Sequence, residues 1–412
     1  MSEINSSNFK KEHGDLAPDL VGVTELTSPY FFVPPSGDTA SRPSDCEPGT
    51  LRFNTDIGNL EVFRGKTIGW EQIQRREGQY LGGHSGGSAG QADSSNSVFG
   101  SGTRAVFSGG YLTVPTHNGL CFNNCDVITI PTQGNSHDFG DITSNLQGGG
   151  NLGDSTRAVY AGGKGPSTPG GSDTNQIQFV TFASGGAYTD SGGNLSDSVQ
   201  CTGLSDRTRG IFTGFIRPYN DTIEYVTIQA LGNAVDFGNL TATRGYVGAC
   251  ASSTRGIIFG GLNNPSNPSI NSIDFITIST TGNGADFGDI TGAGSGGRYE
   301  MAAFSNATRG ITAGGYGPNY TDNIEFITIA TKGNTVDFGD LLSEAPGTGK
   351  GGAASKTRGI IAGGYGPSSP NGVNTIQFIE IPTTGNALDF GDFESFTRRI
   401  PQSGCSNGHG GL

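Results

Sequence analysis

Residues 308–341 read TRGITAGGYGPNYTDNIEFITIATKGNTVDFGDL, and near copies of this run fill most of the chain. The Thr-Arg pair that opens it stands at Thr103, Thr156, Thr208, Thr254, Thr308 and Thr357. The period is roughly 50 residues, the range of repeat arrays and propellers. Each copy resolves into four short strands. A small-residue strand leads, as in GACAS at 248–252 or MAAFS at 301–305. The strand after Thr-Arg comes second, as in RGIIFGG at 255–261, and the most apolar, SIDFITI at 272–278, comes third. The fourth carries Asp-Phe-Gly-Asp, as at 286–289.

In the third strand Ile273 and Phe275 point one way, Ile276 and Ile278 the other. A strand apolar on both faces belongs to a sheet covered on both sides by like sheets. Third and fourth strands are joined by Thr-Thr-Gly-Asn, a tight-turn signal, at 280–283 and in near copies. Six units predict an all-β fold, a six-bladed β-propeller of four-stranded antiparallel blades over 98–412. Ser403-Gly404-Cys405-Ser406 aligns with Gly248-Ala249-Cys250-Ala251, so the tail supplies one more first strand, to pair with the first blade.

The rest of the chain does not share the repeat. Residues 1–48 read as an extended attachment arm, polar and then proline-rich. Residues 49–78 predict a small β-hairpin module, with Leu51, Phe53, Leu60 and Val62 alternating around a Thr55-Asp56-Ile57-Gly58 turn and Trp70 capping it. Such a module is small enough to need a neighbour for stability. Residues 79–97 have the Gly/Ser composition of a flexible linker.

The 412 residues include 71 glycines without a triplet period, which excludes collagen, and 24 Phe and 12 Tyr, which argue for packed structure. Net charge is −13, so the basic footprint of a nucleic-acid or anionic-membrane binder is missing. Uncharged glycans or another protein suit this balance better. The polar amino terminus does not read as a signal peptide, no stretch reads as a membrane span, and six cysteines suit thiols made in a reducing cytoplasm.

The glycine doublets that end the second strands, such as Gly260-Gly261 and Gly314-Gly315, resemble those of kelch-type propellers, although the kelch tryptophan is absent. The repeat at 357–393 is more closely similar to those of virion structural proteins of tailed phages, especially marine cyanobacterial myoviruses, and the GTLRFNTDIGNLEVFRG segment at 49–65 resembles a small module near the start of phage fibre and appendage proteins. That resemblance implies a tail-fibre or appendage component for host attachment, located in the virion. It also implies virion partners for the arm, a host glycan or protein as ligand, and a homotrimer. The alternative it implies is a head, neck or baseplate decoration protein with a bracing role.

Asp-Phe-Gly recurs at Asp138, Asp236, Asp286, Asp337 and Asp389, without the other signatures of a kinase. It is therefore a strand motif, and the expectation is that its acids pair with the repeated arginine, for instance Arg309 with Asp337 or Asp340; a calcium site at these acids is the alternative. His117, Cys121 and Cys125 fall in the expected loop of the first unit as HxxxCxxxC, which lacks a fourth zinc ligand; thiols, or a Cys121–Cys125 disulfide, are the expectation. No cofactor, metal or catalytic constellation is predicted, and an enzyme is not expected.

Connections from strand two to strand three, and from strand four onward, emerge at one end of each unit. These segments differ between copies, whereas the Thr-Arg and Thr-Gly-Asn turns barely change. Binding residues belong where a repeated scaffold varies. Tyr111, Tyr219, Tyr316, Tyr320 and Tyr365 lie there and are the candidate binding residues. For Tyr316 and Tyr365, in matching GGYGP contexts, packing at the loop base is the preferred reading.

Overall fold

The computed structural model describes residues 35–43, 46–56, 59–66, 69–72, 103–114, 117–166, 173–196, 200–216, 218–263, 269–292, 296–342, 351–364, 372–394 and 403–408. The chain divides into two compact units, 1–80 and 81–412.

The first unit holds one four-stranded sheet: Ser36–Gly37, Leu51–Asn54, Asn59–Phe63 and Trp70–Gln72. Ser36–Gly37 pairs parallel to Leu51–Asn54, so the described end of the expected arm belongs to this sheet. Its buried face is polar. Glu61 is fully buried, takes the Arg42 guanidinium, and accepts from Asn54 Nδ2 at 3.1 Å. The Arg42 hydrogen bond holds the Glu61 carboxyl below its ordinary range. Trp70 packs on Phe63 at 5.5 Å and donates its indole N–H to Pro43 O at 2.8 Å. The expected 79–97 linker lies outside the described residues.

The second unit contains six four-stranded antiparallel sheets. The first sheet is ordered Gly404–Ser406, Arg104–Val114, His117–Thr129, His137–Leu146. The second runs Gly150–Gly153, Arg157–Ala161, Gln176–Thr181, Thr189–Asn194. The third runs Thr202–Ser205, Arg209–Thr213, Thr222–Thr227, Val235–Asn239. Gly248–Ala251, Arg255–Phe259, Ser272–Thr277 and Ala285–Asp289 make the fourth. Ala302–Ser305, Arg309–Ala313, Asn323–Thr328 and Val336–Asp340 make the fifth. The sixth is Gly352–Ala354, Arg358–Ala362, Thr375–Glu380, Leu388–Asp392.

The expected six-bladed β-propeller is corrected to the coarser architecture these sheets define. The fold is an all-β array of open antiparallel sheets, none closed into a barrel, each ending in an outer strand. The first unit of the repeat also departs from its copies. The segment expected as a variable loop is instead a long hairpin, with Tyr111 opposite Cys121 and Cys125 near Ser108 across the register. Cys121 and Cys125 form no disulfide, and among the described residues no group of three His, Cys, Asp or Glu could hold a metal.

Neighbouring sheets are joined by three repeated contacts. The first explains Asp-Phe-Gly. Opposite Ile273 stands Gly288 and opposite Asp274 stands Asp286, so Phe287 is an extra residue, a β-bulge. The bulge turns Phe287, 2% exposed, into the core, where it meets Phe275 edge-on at 6.1 Å. The same one-residue shift recurs in four of the other sheets, whereas the second sheet skips two residues, Ser191 and Gly192. The second contact follows from it: Phe287 O accepts the Gly333 N–H of the next sheet at 2.9 Å, and Asp289 O accepts that of Thr335. Gly288 must be glycine because a Cβ there would run into Gly333 O. The same backbone pair links the sixth sheet to the first, Gly134 to Phe390 O and Ser136 to Asp392 O.

The third contact is the repeated arginine, and it overturns the expected Arg–Asp pairing. Arg309 lies over the Phe326 ring at 4.6 Å and donates to Ile381 O of the next sheet at 2.7 Å, not to Asp337 or Asp340. Arg157, Arg209 and Arg255 reach Ile228 O, Ile278 O and Ile329 O in the same way. Arg104 reaches Phe182 O, and Arg358 of the sixth sheet reaches Ile130 O and Pro131 O of the first. Innermost strands of successive sheets pack on one another in the same order, the sixth against Gly404–Ser406 and that strand against Gly150–Gly153.

Arg309→Ala loses a charge-assisted hydrogen bond and a cation–π contact, an expected cost of about 2–4 kcal/mol in urea unfolding. Asp337→Asn, at an exposed site, should stay within ~0.5 kcal/mol of wild type. Equal losses from both would restore the Arg–Asp reading.

Candidate recognition surface

Each third strand carries one buried polar residue: Asp126, Gln178, Glu224, Asp274, Glu325 and Gln377, all between 0% and 3% exposed. Five of these side chains capture the segment that leaves the preceding sheet, and Asp126 accepts the Ser136 hydroxyl. Gln178 Oε1 accepts Thr143 N–H, Asp274 accepts the N–H and hydroxyl of Thr241, and Gln377 Oε1 accepts Leu342 N–H. Glu325 accepts the Gly292 N–H at 2.7 Å and the hydroxyls of Thr291 and Thr335. A buried acceptor left unmet is costly. These contacts therefore fix where the connections between sheets begin.

In the fourth and fifth sheets the carboxylate has a second partner. Arg244, 0% exposed, sits 2.7 Å from Asp274 Oδ1 through Nη2 and donates from Nη1 to Gly260 O and Ser272 O. Arg298, 1% exposed, pairs with Glu325 and donates to Gly314 O and Asn323 O. Burial pushes the Arg298 guanidinium below its ordinary pKa, and Glu325 opposes the shift. Each arginine thus pins an incoming connection to the strand-two-to-three connection of the sheet it enters.

Two residues beyond each arginine the backbone turns left-handed, with φ 54° at Tyr246 and 57° at Glu300. Neither is glycine, so each position is strained. The turn carries a backbone bond from Glu300 N–H to Tyr246 O at 2.8 Å, which ties the two connections together. Tyr299 pairs with Tyr316 and Tyr316 with Tyr320 as isolated bridges.

This scaffold lines up five half-buried tyrosines. Ring centroids are separated by 6.4 Å from Tyr219 to Tyr246 and 6.2 Å from Tyr246 to Tyr299. The row continues at 5.4 Å from Tyr299 to Tyr316 and 4.7 Å from Tyr316 to Tyr320. Burial, then the Glu300 carboxylate, pushes the Tyr299 phenol up to about 12, so it stays a neutral donor at physiological pH.

Of the tyrosines expected at this end, Tyr219, Tyr316 and Tyr320 come together. Tyr111 lies apart, half-buried on the long hairpin of the first sheet, and Tyr365 is outside the described residues. Tyr246 and Tyr299 complete the row and were not singled out in the sequence. The available signal was Thr243-Arg244, a Thr-Arg pair off the repeat's period, and the matching Arg298 one unit on.

No protein-family model and no curated protein matches the chain. The expected tail-fibre or appendage role, with its alternative of head, neck or baseplate decoration, is corrected accordingly. Nothing found ties the chain to a phage particle or to the kelch family, and the architecture on which that expectation rested is the coarser one of open sheets.

Glu325→Gln keeps the acceptor oxygen but leaves Arg298 buried without a counter-ion. Its expected cost is about 3–5 kcal/mol in urea unfolding. Arg298→Met added to Glu325→Gln should recover part of that loss; no recovery would mean the pair does not act as a unit.

Proposed function

We propose that the chain is a non-catalytic recognition protein whose tyrosine row binds an uncharged glycan. The observation that carries this is the row itself: five aromatic rings, each within 6.4 Å of the next, on connections pinned by buried Arg–carboxylate pairs. A rigid tyrosine offers an apolar ring for the C–H face of a sugar and a hydroxyl for its oxygens, at little entropic cost. With its phenol raised to about 12, Tyr299 stays protonated and is a poor acid at neutral pH, which suits binding better than proton transfer. The net charge of −13 disfavours polyanions.

The test is calorimetric titration of the full chain with uncharged hexasaccharides: cellohexaose, maltohexaose and mannohexaose. At least one should bind, and Tyr246→Ala or Tyr299→Ala should each weaken it about tenfold, ~1.4 kcal/mol. Binding that survives both substitutions, or no binding to any of the three, would overturn the reading.

A further inference from the structure

The sheet of the first unit has its polarity inside out. Arg52, Asn54, Glu61 and Phe63 alternate with Leu51, Phe53, Leu60 and Val62 along two paired strands, so each set shares one face. The first set is buried, at 0% to 5% exposed. The segment at 38–43 closes over it: Arg52 donates to Asp38 O at 2.8 Å, Arg42 meets Glu61, and Pro43 O accepts the Trp70 indole N–H.

The second set is apolar and partly in water. Leu51 and Leu60 are 43% and 38% exposed, and Phe53 and Val62 are half-buried. The register sets Leu51 opposite Val62 and Phe53 opposite Leu60, so the four form one contiguous patch. By contrast Val235, Val336 and Leu388, exposed in the second unit, sit on three separate sheets, where lone apolar residues need no partner. A half-covered antiparallel sheet ordinarily buries its apolar face and leaves the polar one in water. Here the polar face is already closed, which leaves the apolar one for a partner.

Charge selects that partner. The turn end of the hairpin carries the exposed acids Asp38 and Asp56, brought together by the Thr39 N–H that donates to Asp56 Oδ2 at 2.8 Å. The opposite end carries exposed Arg64 and Lys66 with one acid, Glu47. Two copies packed face to face with their strands antiparallel set apolar patch on apolar patch and each acidic end on a basic end. Between residues 35 and 72 six acidic residues stand against four basic ones, so this segment holds little of the net charge of −13 that would keep copies apart.

We propose that this face is a homodimer interface, closed by a second copy of the chain about a two-fold axis, with Leu51, Phe53, Leu60 and Val62 of both copies at its centre. The inference stands apart from the recognition reading, and the pair it describes carries two tyrosine rows.

Sedimentation equilibrium of the full chain tests it, at concentrations up to about 100 μM, above the micromolar range of weak specific interfaces. The expected mass is twice the 42.4 kDa of one chain. Leu51→Lys combined with Leu60→Lys should weaken pairing at least about a hundredfold. That variant lowers the net negative charge, so general repulsion does not account for the loss. Leu51→Thr with Leu60→Thr, which keeps strand propensity, should weaken pairing at least about tenfold. Trp70, the only tryptophan, packs on Phe63 of the opposite face, and its unchanged emission in either variant shows that the sheet is intact. A wild-type mass of 42.4 kDa, or a mass of three copies, would overturn the interface. So would a dimer that persists undiminished in both variants.

Discussion

The bond from the repeated arginine to a carbonyl of the next sheet is the interaction on which the second unit depends. A single four-stranded sheet of this size cannot bury both of its faces. Here each sheet has an apolar core face on either side, and something must fix its neighbours in register. Arg309 does this with one planar group, stacked on Phe326 of its own sheet and donating to Ile381 O of the next. The bulged Phe338 and the Gly385-to-Phe338 O bond lock the same junction further out along the strands. Because Arg358 reaches Ile130 and Pro131, the junction between the last sheet and the first uses the same parts as the others.

A scaffold held this way leaves the opposite end of the sheets free to differ. Buried third-strand polar residues anchor the departing segments, and where the residue is a carboxylate with a buried arginine the connection is pinned at two points. That condition holds for Asp274 with Arg244 and Glu325 with Arg298, and the tyrosine row spans those connections. In the second sheet the corresponding residue is the uncharged Gln178, and among the described residues no tyrosine row forms there. Charge burial is expensive as stability. Its return here is the fixed placement of half-buried aromatic side chains, including two backbone positions held left-handed.

Strand content was legible in the sequence because alternation and turn chemistry are local. The four strands of each unit, the Thr-Gly-Asn turn and the pairing of residues 404–406 with the strand opened by Arg104 all follow from signals within a few residues. The class name was not legible in the same way, and the open sheets fix only the coarser description. Asp-Phe-Gly was seen as a strand motif, but its bulge depends on register with the third strand, which spacing alone does not give. The arginine was assigned an acid because charges attract; its actual partners are a ring and a backbone carbonyl, and carbonyls have no sequence signature. Tyr219, Tyr316 and Tyr320 could be found from loop position, whereas Tyr246 and Tyr299 needed the buried arginines to be recognised first.

Hydrogen–deuterium exchange, read with and without the tightest-binding uncharged hexasaccharide, tests the division between uniform scaffold and variable recognition end most directly. The amides of Tyr246, Glu300, Tyr316 and Tyr320 should gain protection, while those of Gly282, Gly333 and Gly385 at the sheet junctions stay unchanged. Protection gained instead at the Thr-Arg turns, around Thr308 and Arg309, would contradict the account.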